Sequence, residues 1–322
     1  MAVVTTSDLI RQVRVQLQES NEAQIDDNDI FDALNRGNDY AWDIMARLYP
    51  DPLVTVHKDA DGNELLLNAD ARGEILIPEG IFEEHLQKVD LVQSGISYEL
   101  ERQSYRQTTP FRNNVVGSRP IFYNIKGRTI EFLPTTSNFS GFQFRLYYLR
   151  DLDALVPVQG QISDIVDSAT AGGDSYVVLD NVGSDLSTSD PYNKYVNICN
   201  AQTGEVRATL EIQNITGNKI TFKTSPSRTK VLGRNVSGDV PTDGQPDDYL
   251  STVHGSCVLF FKKPMSNMVI QYAVAELRRA LGYDVGIEQS ALKKMEDQVK
   301  HQWAGRESQF RIKRRNYIWR VR

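Results

Sequence analysis

Hydrophobic positions in this chain change period twice. In the first fifty residues they recur at helical spacing: Leu9, Ile10, Val13 and Leu17 make one stripe, and Ile30, Phe31, Leu34, Ala41, Ile44, Met45 and Leu48 a second. Ser7 or Asp8 is placed to cap the first helix. The carboxylates of Asp26, Asp27 and Asp29 fall where the second would begin and are favoured there by the helix dipole. Tyr49-Pro50-Asp51-Pro52 stops it. The pattern predicts a helical hairpin.

From Leu53 the period becomes two. Val54 and Val56, then Leu65 and Leu67, flank the turn-rich Asp59-Ala60-Asp61-Gly62-Asn63, and Glu74 to Pro78 reads as a short strand. Ile81 to Val92 reads as a single helix. Ile121–Ile125, a Lys126-Gly127 turn, Thr129–Pro134 and Phe142–Tyr148 read as strands of one antiparallel sheet. Pro157 to Gly160 mark a boundary. Beyond it, Tyr195–Ile198, Arg207–Ile212 and Lys219–Phe222 are short strands separated by Gly, Asn and Thr turns, the spacing of a small barrel. Val231 to Asp248 reads as a long polar loop. Helical spacing returns at Ser266 with Val269, Ile270, Val274, Leu277 and Leu281, ended by Gly282 in the C′ position. A last helix from Ile287 to Trp303 carries Leu292, Met295 and Val299.

These elements predict an α+β protein. A terminal α-helical bundle is formed by both chain ends, residues 1–52 and 264–305. Between them lie an antiparallel β domain at 53–157 and an inserted β-barrel-like domain at 158–250. Residues 306–322 form an extended C-terminal arm.

Charge singles out that arm. Residues 308–322 hold six basic side chains and no acid, so within a net charge of −6 the other 307 residues carry −12 between them. Tyr317, Trp319 and Val321 alternate with Ile318, Arg320 and Arg322, the period of an extended strand with two faces. One reading is a strand completing its own sheet. The other is an arm laid on another subunit, since Tyr, Trp and Arg dominate interface energetics.

Signals for chemistry are weak. His57, His85, His254 and His301 are scattered, and Cys199 and Cys257 lack zinc spacing, reading as reduced, buried fillers. Asp59-Ala-Asp61-Gly62 resembles part of an EF-hand loop. Aligning Gly62 to its turn, however, puts His57 and Asn68 at the first and last ligand positions, so a plain turn is favoured. His254-Gly255-Ser256-Cys257 gathers reactive types but runs into the apolar Val258–Phe261, the pattern of a strand entering a core. No nucleotide-binding glycine motif and no serine-hydrolase elbow is present. The expectation is a non-enzyme without cofactor or metal. No apolar run reaches the ~20 residues of a membrane helix, and the N-terminus does not read as a secretory signal.

Several stretches together carry a resemblance: "DALNRGNDYAWDIMA", "ILIPEGIFEEHLQKVDLV", "SRPIFYNIKGRTIEFLP", "FRLYYLRDLDALV" and "AVAELRRALG". With Arg119-Pro120, Tyr123, Gly127-Arg128, Ile130 and Pro134, the chain resembles the head-to-tail adaptor proteins of tailed bacteriophages over residues 1–155 and 250–322. The block from about 160 to 245 is outside the commonest form of that family and resembles an inserted β-barrel. The resemblance implies a virion neck protein, made in the host cytoplasm, that forms a dodecameric ring under the portal protein. Such a ring extends the channel for double-stranded DNA without sequence-specific binding and gives the tail or nozzle protein below its platform, with no membrane contact. It implies portal binding by Phe310, Arg311, Ile312, Lys313, Arg314, Arg315, Tyr317, Trp319 and Arg320. An acidic body suits a channel wall, since negative walls do not hold a sliding phosphate backbone. The alternatives are another tail structural protein (tube, baseplate or fibre-associated) and a nucleic-acid-binding protein whose tail aromatics stack on bases.

Overall fold

The computed structural model describes residues 4–18, 25–58, 64–78, 81, 83–104, 118–134, 139, 141–232, 234–241 and 244–301. Among them the chain is mixed α+β, with helices at both ends and strands between. It divides into two compact units, Met1–Ile44 with Leu152–Arg322, and Met45–Asp151.

Helix α1 is Thr6–Leu17 and α2 is Asp27–Leu48. Thr5, rather than Ser7 or Asp8, is the N-cap. Its hydroxyl accepts the Asp8 N–H at 3.3 Å, while the Asp8 carboxylate accepts the Thr5 N–H at 3.4 Å. Asp8 is therefore the third-position partner of a capping box. At α2 the Asp26 carboxylate accepts the Asn28 N–H at 2.7 Å, and Arg14 reaches back from α1 to Asp27 at 2.6 Å.

Helix α3 is Met265–Ala280, and α4 covers 286–301. Gly282, at φ +81°, ends α3 as the sequence predicts: its N–H bonds the Arg279 carbonyl at 3.0 Å and Tyr283 N–H bonds Arg278 at 2.9 Å. That pair is a Schellman motif. Helices from the two chain ends meet directly. Tyr40 stacks on Tyr272 with centroids 4.9 Å apart, and Arg278 donates to the Gln16 carbonyl at 3.0 Å. Gly37 makes the crossing close, because a Cβ there would sit 2.7 Å from the Val269 carbonyl oxygen.

Unit Met45–Asp151 contains β1 (Val54–Val56), β2 (Leu67–Asn68), β3 (Glu74–Leu76), β4 (Leu86–Gln93), β5 (Ile96–Glu99), β6 (Glu101–Arg102), β7 (Phe122–Lys126), β8 (Thr129–Leu133) and β9 (Gln143–Leu149). Two expectations fail here. Ile81 to Val92 is no helix: a 3-10 turn at Glu83–His85 leads into β4, which pairs antiparallel with β9 and with β5. The β4–β5 hairpin closes on Ser94 and Gly95, at φ 52° and 78°, the two positive values a tight primed turn needs. Nor do the three strands from Ile121 to Tyr148 share one sheet. β7 and β8 belong to the order β3-β8-β7-β6, whereas β9 is central in β1-β9-β4-β5, with β2 also on β9. Phe132 of β8 stacks on Phe144 of β9, centroids 3.7 Å apart, so the sheets share one apolar core rather than one ladder. Asp59–Asn63 lie outside the described residues. The Lys58–Glu64 bridge flanks them.

In the other unit, β10 (Val158–Val166), β11 (Tyr176–Leu179), β12 (Tyr195–Cys199), β13 (Val206–Thr216), β14 (Lys219–Phe222), β15 (Lys230–Val231), β16 (Arg234–Ser237) and β17 (Tyr249–Thr252) form one sheet. Its order is β12-β17-β10-β11-β14-β13-β16-β15, and β12 also pairs with β13. Val231 to Asp248 is thus not all loop. β16 runs parallel to β13, with Thr209 opposite Val236.

Candidate functional site

Phe310, Arg311, Ile312, Lys313, Arg314, Arg315, Tyr317, Trp319 and Arg320 lie outside the described residues, as does the whole arm from 306 to 322. The described candidate is a groove where the chain ends meet. Thr6 N–H donates to the Cys257 carbonyl and Leu259 N–H to Val4, both at 3.0 Å, so the first described residues pair with the run ahead of α3. Asn35 of α2 brackets Leu155 beside them, accepting its N–H at 2.6 Å and donating to its carbonyl at 3.2 Å.

Above this pairing is a groove of about 700 Å³. One wall is α1, through Asp8, Arg11 and Gln12; another is the β12–β13 turn, through Ala201 and Gln202. The floor and far wall are Val258, Leu259, Phe261 and the start of α3. Lys262 and Lys263 are exposed on its rim. Pro264, the N-cap of α3, supplies no side-chain cap, and the first turn has no acid. The positive end of that helix dipole is therefore not offset by a carboxylate on its own first turn. Arg11 is only loosely held by Asp8, at 3.3 Å with both side chains exposed. The groove's charged lining is Arg11, Lys262 and Lys263 against the one carboxylate of Asp8, a net positive set. Its mark in the sequence is Lys262-Lys263 ahead of a proline-started helix, a weaker signal than the six basic residues of the tail.

The His254–Cys257 run does not assemble a nucleophile. His254 is exposed and lies against Tyr192, with centroids 6.1 Å apart. Ser256 is buried and donates to the Gly204 carbonyl at 2.9 Å. Isolated bridges at Ser256 and Val258 take the place of the expected strand. Cys199 and Cys257 are both free and buried, and the Cys199 sulfur lies 3.2 Å from the Ser251 hydroxyl. Burial, then the hydrogen bond with Cys199, raises the Cys257 thiol well above its usual range. Among the described residues no group of three or more His, Cys, Asp or Glu could hold a metal ion, and no helix is long and apolar enough to cross a membrane.

No family model matches the chain, and no curated protein matches it.

Proposed function

We propose that the chain is a head-to-tail adaptor of a tailed bacteriophage: a virion neck protein that forms a ring under the portal protein, extends the DNA channel and carries the tail or nozzle protein below. The observation that supports it best is the packing of helices from the two chain ends in one unit, through Tyr40 on Tyr272 and Arg278 on Gln16. Residues 302–322 follow α4 directly in the sequence, so a basic, aromatic segment is attached to that helical body. In this proposal the segment is the portal-binding arm, with Tyr317 and Trp319 as anchors and Arg311, Arg314, Arg315 and Arg320 meeting acids or carbonyls. In this reading the 158–250 block is a small barrel, which is supported by the β12–β13 pairing in addition to the strand order of its sheet. It has no catalytic role in this reading.

Truncation after Ala304 tests it. The truncated chain should keep its cooperative unfolding transition and lose co-sedimentation with the portal protein of the same phage. Trp319→Ala should weaken docking more than Arg322→Ala, since a buried aromatic anchor is worth about 2–4 kcal/mol per subunit and an exposed ion pair about 0–1. Portal binding by the truncated chain at full strength sinks the proposal.

A further inference from the structure

The groove of about 700 Å³ at the start of α3 is apolar at its floor and basic at its rim. Leu259, Phe261 and Ile270 on the floor are each 5% exposed or less. Lys262 and Lys263 at the rim are exposed and have no ion-pair partner among the described residues. Ser266 lines the same groove. It is 2% exposed, and its hydroxyl makes no hydrogen bond among the described residues, yet it is not sealed from solvent. An apolar side chain with a carboxylate close beside it would use floor, rim and hydroxyl together.

The opposite end of the same helix carries that chemistry outward. The turn between α3 and α4 leaves Leu281, Tyr283 and Ile287 exposed by 41, 62 and 83%. Exposed apolar residues scattered singly need no explanation, but three on one turn are the kind of surface that marks a contact. Asp284 lies among them. One of its oxygens accepts the Gly286 N–H at 3.0 Å, and the side chain has no ion-pair partner among the described residues. The turn is also held in place, by the Schellman pair at Gly282 and Tyr283 and by the ion pair of Arg278 with Glu288. A surface fixed before contact loses little freedom on docking.

Groove and turn belong to the same compact unit. Helix α3 has 16 residues, so about 24 Å of helix separates them. One copy therefore cannot fill its own groove with its own turn, whereas a second copy can. Two different surfaces at opposite ends of one helix make a heterologous contact, in which each copy both gives a turn and receives one. Contacts of that kind close into a ring or run on as a filament.

We propose that the α3–α4 turn of one copy docks in the groove at the start of α3 of the next, with Tyr283 and Ile287 as apolar anchors and Asp284 facing Lys262 and Lys263. The charges agree with that direction. An unpaired acid meets unpaired lysines, on a body that is otherwise strongly negative and repels a like copy elsewhere. The proposal deepens the ring reading and rests on it for the second copy. It gives the arm no part in this contact.

Sedimentation velocity of the full chain tests it. The chain alone should self-associate reversibly, more so as its concentration rises. A groove variant, Lys262→Glu with Lys263→Glu, and a turn variant, Tyr283→Ala with Ile287→Ala, should each weaken association about tenfold or more. All four side chains are exposed, so each variant should keep its circular-dichroism melt. If the double turn variant melts early, Ile287→Ala alone takes its place. Mixed in equal amounts, the two variants should pair through the one intact groove and the one intact turn, and stop at dimers. The chain truncated after Ala304 should associate as the parent does. A full chain that stays monomeric at the highest concentration it tolerates, or a mixture that does not pair, overturns the proposal. Loss of association on truncation overturns it too, in favour of the arm as occupant. No portal is present, so failure here leaves the arm's docking to the portal standing, and portal binding that survives truncation leaves this interface standing.

Discussion

The paired sheets of residues 45–151 and the eight-stranded sheet of the other unit are held in different ways. In the first, buried aliphatic and aromatic side chains such as Ile75, Val89, Leu91, Phe132 and Phe144 fill the space between two small sheets. Its buried carboxylate, Asp90, has its partners close by on its own hairpin: Lys88 forms an ion pair with Oδ1 at 2.9 Å and the Ser97 hydroxyl donates to Oδ2 at 2.9 Å. The second has an apolar core too, but adds carboxylates that tie together segments far apart in sequence. Glu211 on β13, with a side chain 0% exposed, takes Lys194 at 3.1 Å, Lys223 at 2.6 Å, the Ser227 hydroxyl at 2.7 Å and the Ser227 N–H. Asp248 pairs with Arg207 at 2.9 Å and accepts the Ala201 N–H at 3.0 Å and the Gln245 N–H at 3.2 Å. One region is stabilised mainly by removing area from water. The other also fixes which loops meet, through groups that are costly to leave unpaired.

The contrast can be broken by substitution. Phe144→Ala should have the largest effect, about 4 kcal/mol by equilibrium denaturation, and the loss should be the same at pH 7 and pH 4. Glu211→Ala should cost about 3 kcal/mol, because it strands two lysines and a serine around an apolar sheet. Its pH dependence sharpens the comparison. Burial alone would raise the Glu211 carboxyl, but hydrogen bonds from Lys223, Ser227 and Lys194 overcome this and bring it from 4.5 to about 2. A carboxyl depressed by folding contributes stability that is fully present above its unfolded value and lost as pH falls through its folded one. The urea midpoint of the wild type should therefore drop more steeply between pH 4.5 and about 2 than that of Glu211→Gln. Parallel curves would remove the carboxylate from the account. Gly37→Ala should be the mildest. Overpacking against Val269 costs about 1–3 kcal/mol and better helix propensity returns up to about 1, for a net loss of about 1–2. A stabilised variant would mean that the α2–α3 crossing is looser than the structure has it.

What was legible in the sequence was local. The helices at both ends were readable because their stripes, the Tyr49–Pro52 stop and the Gly282 terminator are all short-range signals. The β7–β8 hairpin was readable for the same reason, through its turn at Gly127, φ 57°. Strand β4 was not. Leu86, Val89 and Val92 satisfy helical spacing well enough, and what makes the segment a strand is β9, far along the chain, with Leu91 opposite Phe144. The Ser94-Gly95 turn was the one local clue. Sheet membership was illegible in principle, since β8 and β9 look alike as strings yet lie in different sheets. Of the candidate sites, the basic arm stood out by composition alone. The groove beside α3 did not, because its walls come from α1, the β12–β13 turn and α3, which only tertiary packing brings together.

The most direct measurement of the adaptor proposal is electron microscopy of the purified full chain mixed with the portal protein that the proposal pairs it with. The account predicts rings of this chain seated coaxially on the portal, with density for residues 309–322 on the portal surface and no rings seated by the chain truncated after Ala304. Portal particles that stay bare in the presence of excess full-length chain would contradict it.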